Sequence, residues 1–337
     1  MQFSSQISLQ GFNTFGVNAK AKEFIQIKHE NELQPLCEYL NLSGSPHLII
    51  GGGSNLLLTK DFNGLVIINQ LKGIKLIDES PSYYLIEAKS GEIWHDFVMH
   101  CLDKGYNGLE NLSLIPGTVG ASPIQNIGAY GAEAKDFIDS VQYIHLPTGK
   151  RITISNQDCQ FSYRDSIFKQ QLSGQYFILS VQFKLQKKYN LNTQYGAIQD
   201  ALQKQRVLTP TAKAISQAVC SIRSNKLPDP KLIGNAGSFF KNPVVSNEQF
   251  ELLLQNFPNM VAYPDKNGKK LAAGWLIEQT GWKGKCIGNV KVHQDQALVI
   301  TNTGSATGLE ILNFSQNIID EVQAKFGVHL NREVVVV

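Results

Sequence analysis

Leu48-Ile49-Ile50-Gly51-Gly52-Gly53-Ser54-Asn55 is a short apolar strand that runs straight into consecutive glycines. Glycines in a row let backbone N–H groups face one concavity, a nest suited to diphosphate oxygens. The same residues also suit a plain tight turn, and this stretch alone does not separate the two readings. A second stretch is harder to take as a simple turn: Pro116-Gly117-Thr118-Val119-Gly120-Ala121-Ser122-Pro123-Ile124-Gln125-Asn126-Ile127-Gly128-Ala129-Tyr130-Gly131. So long a connection of small and amide side chains is costly unless it wraps something. Ser54, Asn55, Ser122, Gln125 and Asn126 would add side-chain donors to the backbone amides. No Gly-Lys-Ser or Gly-Lys-Thr follows, so neither stretch is a Walker A loop. Neither opens a helix as G-x-G-x-x-G with an acidic residue on the next strand, so a Rossmann site is not indicated.

Outward from these loops, strands and helices mix. Apolar or β-branched runs bounded by turn residues predict strands over 24–27, 47–50 and 64–68. Leu33, Leu36 and Leu40 lie at helical spacing and predict a helix over 31–40, with Pro35 in its first turn. A strand over 84–88 leads to a helix over 93–102. Its apolar face is Ile93, Trp94, Phe97, Val98, Cys101 and Leu102, and Gly105 stops it. Strands over 141–146 and 151–154 read as a hairpin across Thr148-Gly149, and another strand covers 176–185. Ala214, Ile215, Ala218, Val219 and Ile222 predict a helix from Thr211 that ends before Pro228. Leu227-Pro228-Asp229-Pro230 is a rigid segment and a candidate domain boundary. Beyond it, Ser246-x-x-Gln249 reads as a capping box. Helices over 272–280 and 308–326 flank a strand over 297–301, and 329–337 reads as a terminal strand. Trp275 and Trp282 are expected in packing.

Composition narrows the class. The 337 residues suggest two or three domains. A hydrophobic share of 42% and a charged share of 18% are those of an ordinary globular protein. The net charge is only +3 with the basic residues scattered, so a nucleic-acid partner is not expected. Cys37, Cys101, Cys159, Cys220 and Cys286 are dispersed, which implies reduced thiols and no metal site. His95 and His100 miss the i, i+4 spacing of a helical zinc pair and read as surface or packing residues. The N-terminus lacks the pattern of a signal peptide, and no apolar run approaches the roughly 20 residues that span a bilayer. The expected place is the cytoplasm, with no membrane partner.

The glycine stretches do not stand alone. Tyr163-Arg164-Asp165-Ser166-Ile167-Phe168 and Lys226-Leu227-Pro228-Asp229-Pro230 follow in order. Then come Gly234-Asn235-Ala236-Gly237-Ser238-Phe239-Phe240-Lys241-Asn242-Pro243, Ala272-Ala273-Gly274-Trp275-Leu276-Ile277 and Val292-His293-x-x-Gln296-Ala297-Leu298-Val299. In order and spacing this series, which covers nearly the whole chain, resembles the UDP-N-acetylenolpyruvoylglucosamine reductases (MurB) of the type with a Tyr-Gly lid segment. The resemblance implies an α+β fold: a two-subdomain FAD-binding module of the vanillyl-alcohol-oxidase type and a C-terminal α+β substrate-binding domain. Domains are then expected over 1–71, 72–225 and 226–333, with the strand 334–337 returning to the first.

It also implies an enzyme of peptidoglycan precursor synthesis. NADPH would give hydride to a non-covalently held FAD, which would reduce UDP-N-acetylglucosamine enolpyruvate to UDP-N-acetylmuramate. The protein would be a monomer whose partners are small molecules. The resemblance places Ser238 as the proton donor to the carbon bearing the carboxylate, Arg164 as the cation facing that carboxylate, and Glu333 as the third catalytic group. On chemistry alone, Ser238 could instead be a turn or helix-cap serine, and Arg164 a surface partner of Asp165. Arg332 stands where the family pattern usually has proline, and the chain ends at Val337 before an expected glycine-containing tail. FAD contacts fall on Gly51, Gly52, Gly53, Ser54, Asn55, Gly117, Gly120, Ala121, Ser122, Ile124 and Gly128. Substrate contacts fall on Tyr163, Tyr195, Arg223, Lys226, Asn242 and Gln296, with Tyr195-Gly196 a lid segment over a diphosphate. A sugar or alcohol oxidase of the same fold would want a His or Cys in the glycine loops to tether its flavin. A nucleotide-sugar-binding protein would use the glycines and Lys226 but not Ser238, Arg164 and Glu333 together.

Overall fold

Alternation builds the first sheet. Lys20–Ile27 turns Ala21, Ile25 and Ile27 inward, whereas Phe62–Asn69 is buried over most of its length, as a central strand must be. The computed structural model describes residues 2–337. They divide into two compact units, each made of discontinuous segments. The first unit holds the chain up to Ile7, Ala21–Gly52 and Asn63–Asn225. The second holds Ser8–Lys20, Gly53–Phe62 and Lys226–Val337.

In the first unit, the strands Ser4–Ser8, Lys20–Ile27, Phe62–Asn69 and His47–Ile50 lie in that order. His47–Ile50 runs parallel to Phe62–Asn69, with His47 opposite Leu65. Helix α1 (Leu33–Ser43) buries Leu33, Leu36, Cys37 and Leu40 against Ile25, Ile27, Leu65 and Ile67. A second, antiparallel sheet orders Lys150–Ser155, Ile138–His145, Tyr176–Gln186, Tyr83–Lys89 and Ile74–Glu79. Helix α2 (Trp94–Asp103) packs Trp94, Phe97, Val98, Cys101 and Leu102 on this sheet. Helices α3 (Gly196–Lys204) and α4 (Ala212–Lys226) share a small core of Ile198, Leu202, Ile215, Val219 and Ile222.

The second unit has a core of its own. The strands Gly234–Ser238, Val299–Asn302, Val290–Val292 and Cys286–Ile287 form one sheet. Helices α5 (Asn247–Asn256), α6 (Ala273–Gln279) and α7 (Gly308–Phe326) pack around Phe239, Phe240, Leu276, Ile318 and Val322. Trp282 is fully buried there and Trp275 packs against the same core, as expected of both. Among the described residues, no helix is long and apolar enough to cross a membrane.

Several expectations shift. Ile93 was expected on the apolar face but is the 50% exposed N-cap of α2. Its extended φ, ψ swings it off the helical face before the first turn begins. The serine half of the capping box forms, since Ser246 Oγ accepts from the Gln249 N–H at 3.1 Å. Gln249 instead reaches the Gly327 carbonyl at 3.4 Å. The expected strand over 329–337 is not continuous. Only Val335–Val336 pairs in a ladder, parallel to Leu56–Leu57, and Arg332 forms one isolated bridge to Phe240.

Candidate functional site

Glycine allows two loops of the first unit to lie backbone on backbone. A β-carbon on Gly52 would stand 2.9 Å from the Gly117 Cα, and one on Gly51 would collide with the Thr118 hydroxyl. On the other side of the second loop, a β-carbon on Gly120 would stand 2.6 Å from Ser90 Cβ. Among the described residues, the N–H groups of Gly51, Gly52, Gly117 and Thr118 donate to no protein acceptor. Unpartnered amides converging from two loops are what a diphosphate requires, and an apolar ligand would leave them unsatisfied. The cradle therefore fits the anionic middle of FAD.

The second loop is braced by its own residues and by its neighbours. Its Gly120 N–H donates to Ser90 O at 2.8 Å, and Val119–Ala121 forms a 3-10 turn that leads to Ile124. Ser122 is fully buried and donates to Val119 O at 2.7 Å. Asn126 donates to Ser162 O and accepts from the Lys135 N–H, both at 3.0 Å. The side-chain donors expected of Ser122 and Asn126 thus hold the loop's shape. Asn55 likewise spends a side-chain N–H on Glu333 O at 3.2 Å, within the second unit. There, Gly53 is pressed on the Phe12 carbonyl so closely that a β-carbon would collide with it, and Ser54 is half-buried.

Arg164 and Arg223 also belong to the first unit. Arg164 sits at φ 56, donates to Gly128 O at 2.8 Å, and holds its guanidinium carbon 5.4 Å from the Tyr163 ring centroid. Arg223, on α4, donates to Leu114 O at 3.1 Å. Burial lowers its pKa, and the positive charge of Arg164 acts in the same direction, while the Tyr130 phenol opposes both. Two guanidinium charges that act on one another in this way are favoured by an anion nearby. Tyr195 was expected in a lid segment over a diphosphate. It is the N-cap residue of α3, 49% exposed, and meets Tyr130 edge-to-face at 5.3 Å between ring centroids. Burial also raises the Tyr130 phenol above its ordinary value. Asn111, buried, donates to Tyr130 O at 2.9 Å and to Asn192 O at 3.0 Å, tying the two tyrosine-bearing segments together.

In the second unit a bulge presents Ser238. Asn235, buried, donates to Pro228 O at 3.1 Å and Ile233 O at 2.8 Å, and accepts the Gly237 N–H at 3.0 Å. Gly237 has φ 68, a conformation that disfavours other residues. The strand slips between Asn235 and Ser238, and Ser238 emerges exposed opposite Val299. It is a strand-end serine and caps no helix. Glu333 lies close by in the backbone, its N–H donating to Phe239 O at 2.8 Å. Arg332 turns away to α7, donating to Ser315 Oγ at 2.8 Å and Gln316 Oε1 at 2.7 Å.

The remaining residues divide. Asn242 accepts the Ala273 N–H at 3.0 Å and so caps α6 from outside. Gln296 is half-buried in the turn whose carbonyl receives the Val299 N–H at 2.9 Å. Lys226 is exposed at the end of α4. Tyr130, Asn111 and Leu114 carried no expectation from the sequence, and His95 was expected only as a surface or packing residue. Tyr130 stood inside a loop taken as backbone nest, and the others have no pattern of their own.

Sequence and structure comparisons agree with this geometry. Residues 21–155 match the family model described as FAD binding domain, and residues 229–337 that of the UDP-N-acetylenolpyruvoylglucosamine reductase C-terminal domain. The chain is 50% identical over 327 residues to a UDP-N-acetylenolpyruvoylglucosamine reductase of Neisseria meningitidis, covering 96% of this chain and 94% of that protein. It is 46% identical to the enzyme of that name from Pseudomonas syringae pv. syringae, covering 99% of this chain and 98% of the other. The fold is shared with the crystal structure of the Thermus caldophilus enzyme, with a TM-score of 0.68 at 21% identity over 99% of this chain and 98% of that one. From its identity to these relatives over almost its full length, the chain belongs to the UDP-N-acetylenolpyruvoylglucosamine reductase family.

Proposed function

We propose that this protein reduces UDP-N-acetylglucosamine enolpyruvate to UDP-N-acetylmuramate, an FAD-dependent, NADPH-consuming step of peptidoglycan precursor synthesis. The observation that carries the reading is the glycine cradle of unpartnered amides in a chain with full-length identity to these reductases. Gly51, Gly52, Gly53, Ser54, Asn55, Gly117, Ala121, Ile124 and Gly128 would hold the cofactor, with Gly120 and Ser122 shaping the loop that does so. Bound FAD supplies a hydride relay from NADPH to the methylene carbon of the enolpyruvyl group.

The residues of the chain supply the rest. As hydride reaches the methylene carbon, negative charge spreads onto the neighbouring carboxylate. Arg164 stabilises that charge with fixed, planar donors. Its left-handed backbone fixes the base of the side chain, and the bond from Nη2 to Gly128 O holds the guanidinium end. Ser238 gives its proton to the carbon that bears the carboxylate. A serine hydroxyl is a weak acid and serves here because the enol it protonates is a strong, short-lived base. Glu333 is the third catalytic group. Arg223, Lys226 and Tyr195 bind the diphosphate, while Tyr163, Asn242 and Gln296 complete the substrate contacts. Segments 1–71 and 72–225 form the FAD module and 226–333 the substrate domain, in a cytoplasmic monomer.

The test is a flavin experiment. The purified protein is expected to be yellow with an acid-releasable flavin, and NADPH should bleach it without oxygen. UDP-N-acetylglucosamine enolpyruvate should restore the colour, whereas UDP-N-acetylglucosamine should not. A colourless protein, or one reoxidised only by oxygen, would overturn the reading.

A further inference from the structure

His95, on α2, has no part in the proposed chemistry itself but is joined to Arg223 through one backbone unit. The Leu114 N–H donates to His95 Nδ1 at 3.0 Å, and Arg223 Nε donates to the Leu114 carbonyl at 3.1 Å. Leu114 sits at φ 57, a left-handed conformation that costs a branched residue energy and persists only where neighbours enforce it. The imidazole and the guanidinium grip the two ends of the same residue from two helices. We propose that His95 is a positioning residue for the substrate-binding Arg223, acting through the Leu114 backbone. The inference rests on reading Arg223 as a ligand of the substrate diphosphate.

An imidazole can accept the Leu114 N–H only while Nδ1 is unprotonated, which leaves the proton on Nε2, 4.0 Å from Cys220 Sγ. The groups facing the ring are Asp96 on its own helix and Arg223 and Cys220 on α4. Burial holds the His95 pKa below its ordinary 6.5, Arg223 pushes the same way, and Asp96 opposes them. Burial raises the Cys220 thiol, which therefore stays neutral in acid. A lowered value means that the accepting, neutral form is complete above pH 6.5 and is lost as pH falls through the folded value. Protonation would both break the bond to Leu114 and set a second cation beside Arg223.

The test is titration of UDP-N-acetylglucosamine enolpyruvate into the FAD-loaded enzyme, followed by flavin absorbance across the acid range. Asn places an amide oxygen near where Nδ1 stands, whereas Leu offers no acceptor. His95→Leu is expected to bind substrate about tenfold more weakly, the cost of one orphaned buried N–H, while His95→Asn stays within about twofold of wild type. Wild-type affinity should fall in acid below pH 6.5, and His95→Asn should lack that fall. A His95→Leu protein that keeps its flavin and binds as wild type would overturn the inference. An acid fall that survives in His95→Asn would overturn it too, and needs no folded Leu variant. If wild type is not reoxidised by the enolpyruvyl substrate at all, the functional reading falls, and this inference with it.

Discussion

Ser238 leaves the strand at a bulge that Asn235 and Gly237 create, so its hydroxyl is exposed and its backbone is fixed. That combination suits a donor that acts once on a transient base. Ser238→Ala is expected to slow reoxidation by the enolpyruvyl substrate about a hundredfold or more while NADPH bleaches the flavin at nearly the normal rate. Stopped-flow absorbance of the two half-reactions reads this directly; equal slowing of both would make the serine structural. Arg332 illustrates the opposite case, a departure from the family pattern with little consequence. The Lys241 N–H donates to Asn331 O at 2.9 Å and the Glu333 N–H to Phe239 O at 2.8 Å, so the bridge at Arg332 does not use its own N–H. Arg332→Pro should therefore keep full activity and lose only the bonds to Ser315 and Gln316, about 1 kcal/mol of stability. A large drop in kcat would show that the Arg332 side chain sets Glu333.

Short connections decide the elements that matter. Glycine lets the turn after His47–Ile50 and the loop around Gly117 meet, with Gly52 facing the Gly117 Cα and Gly51 the Thr118 hydroxyl. Gly52→Ala should force the loops apart by a few tenths of an ångström or more and misdirect their amides. The expected result is a folded protein that keeps its circular-dichroism spectrum and retains flavin at least about tenfold more weakly. The flavin-to-protein absorbance ratio after dialysis measures it, and an unchanged ratio would remove these amides from the cofactor site. Helix α3, which opens at Gly196 after its N-cap Tyr195, carries little signal in the sequence. Ile198 and Leu202 give it only a narrow apolar stripe, and it is held by α4 more than by its own propensity.

For the whole molecule, the consequence of the proposed cofactor is linkage. A ligand that binds only the folded first unit stabilises it in proportion to the logarithm of its concentration over Kd. Removing the flavin should lower Tm, and adding FAD at about a hundred times Kd should restore about 2.7 kcal/mol of stability. A Tm that does not depend on FAD would argue against a cofactor cradle. Local pattern was enough for the α+β class, for α7 over Gly308–Phe326 and for the Lys150–Ser155 hairpin, because periodicity and turn residues are properties of neighbours in sequence. The ordered motifs likewise carried the family. Pairing across long separations was not legible. The division of the chain into interleaved segments, the parallel pairing of Val335 with Leu56, and the grip of His95 on Leu114 all join residues far apart in the chain. Such contacts depend on burial and backbone hydrogen bonding that exist only once the cores have formed, and no residue carries them alone. The sequence by itself determined which chemistry the chain can perform; the tertiary structure decided which backbone amides stay unpartnered and which side chains are spent holding their loops in place.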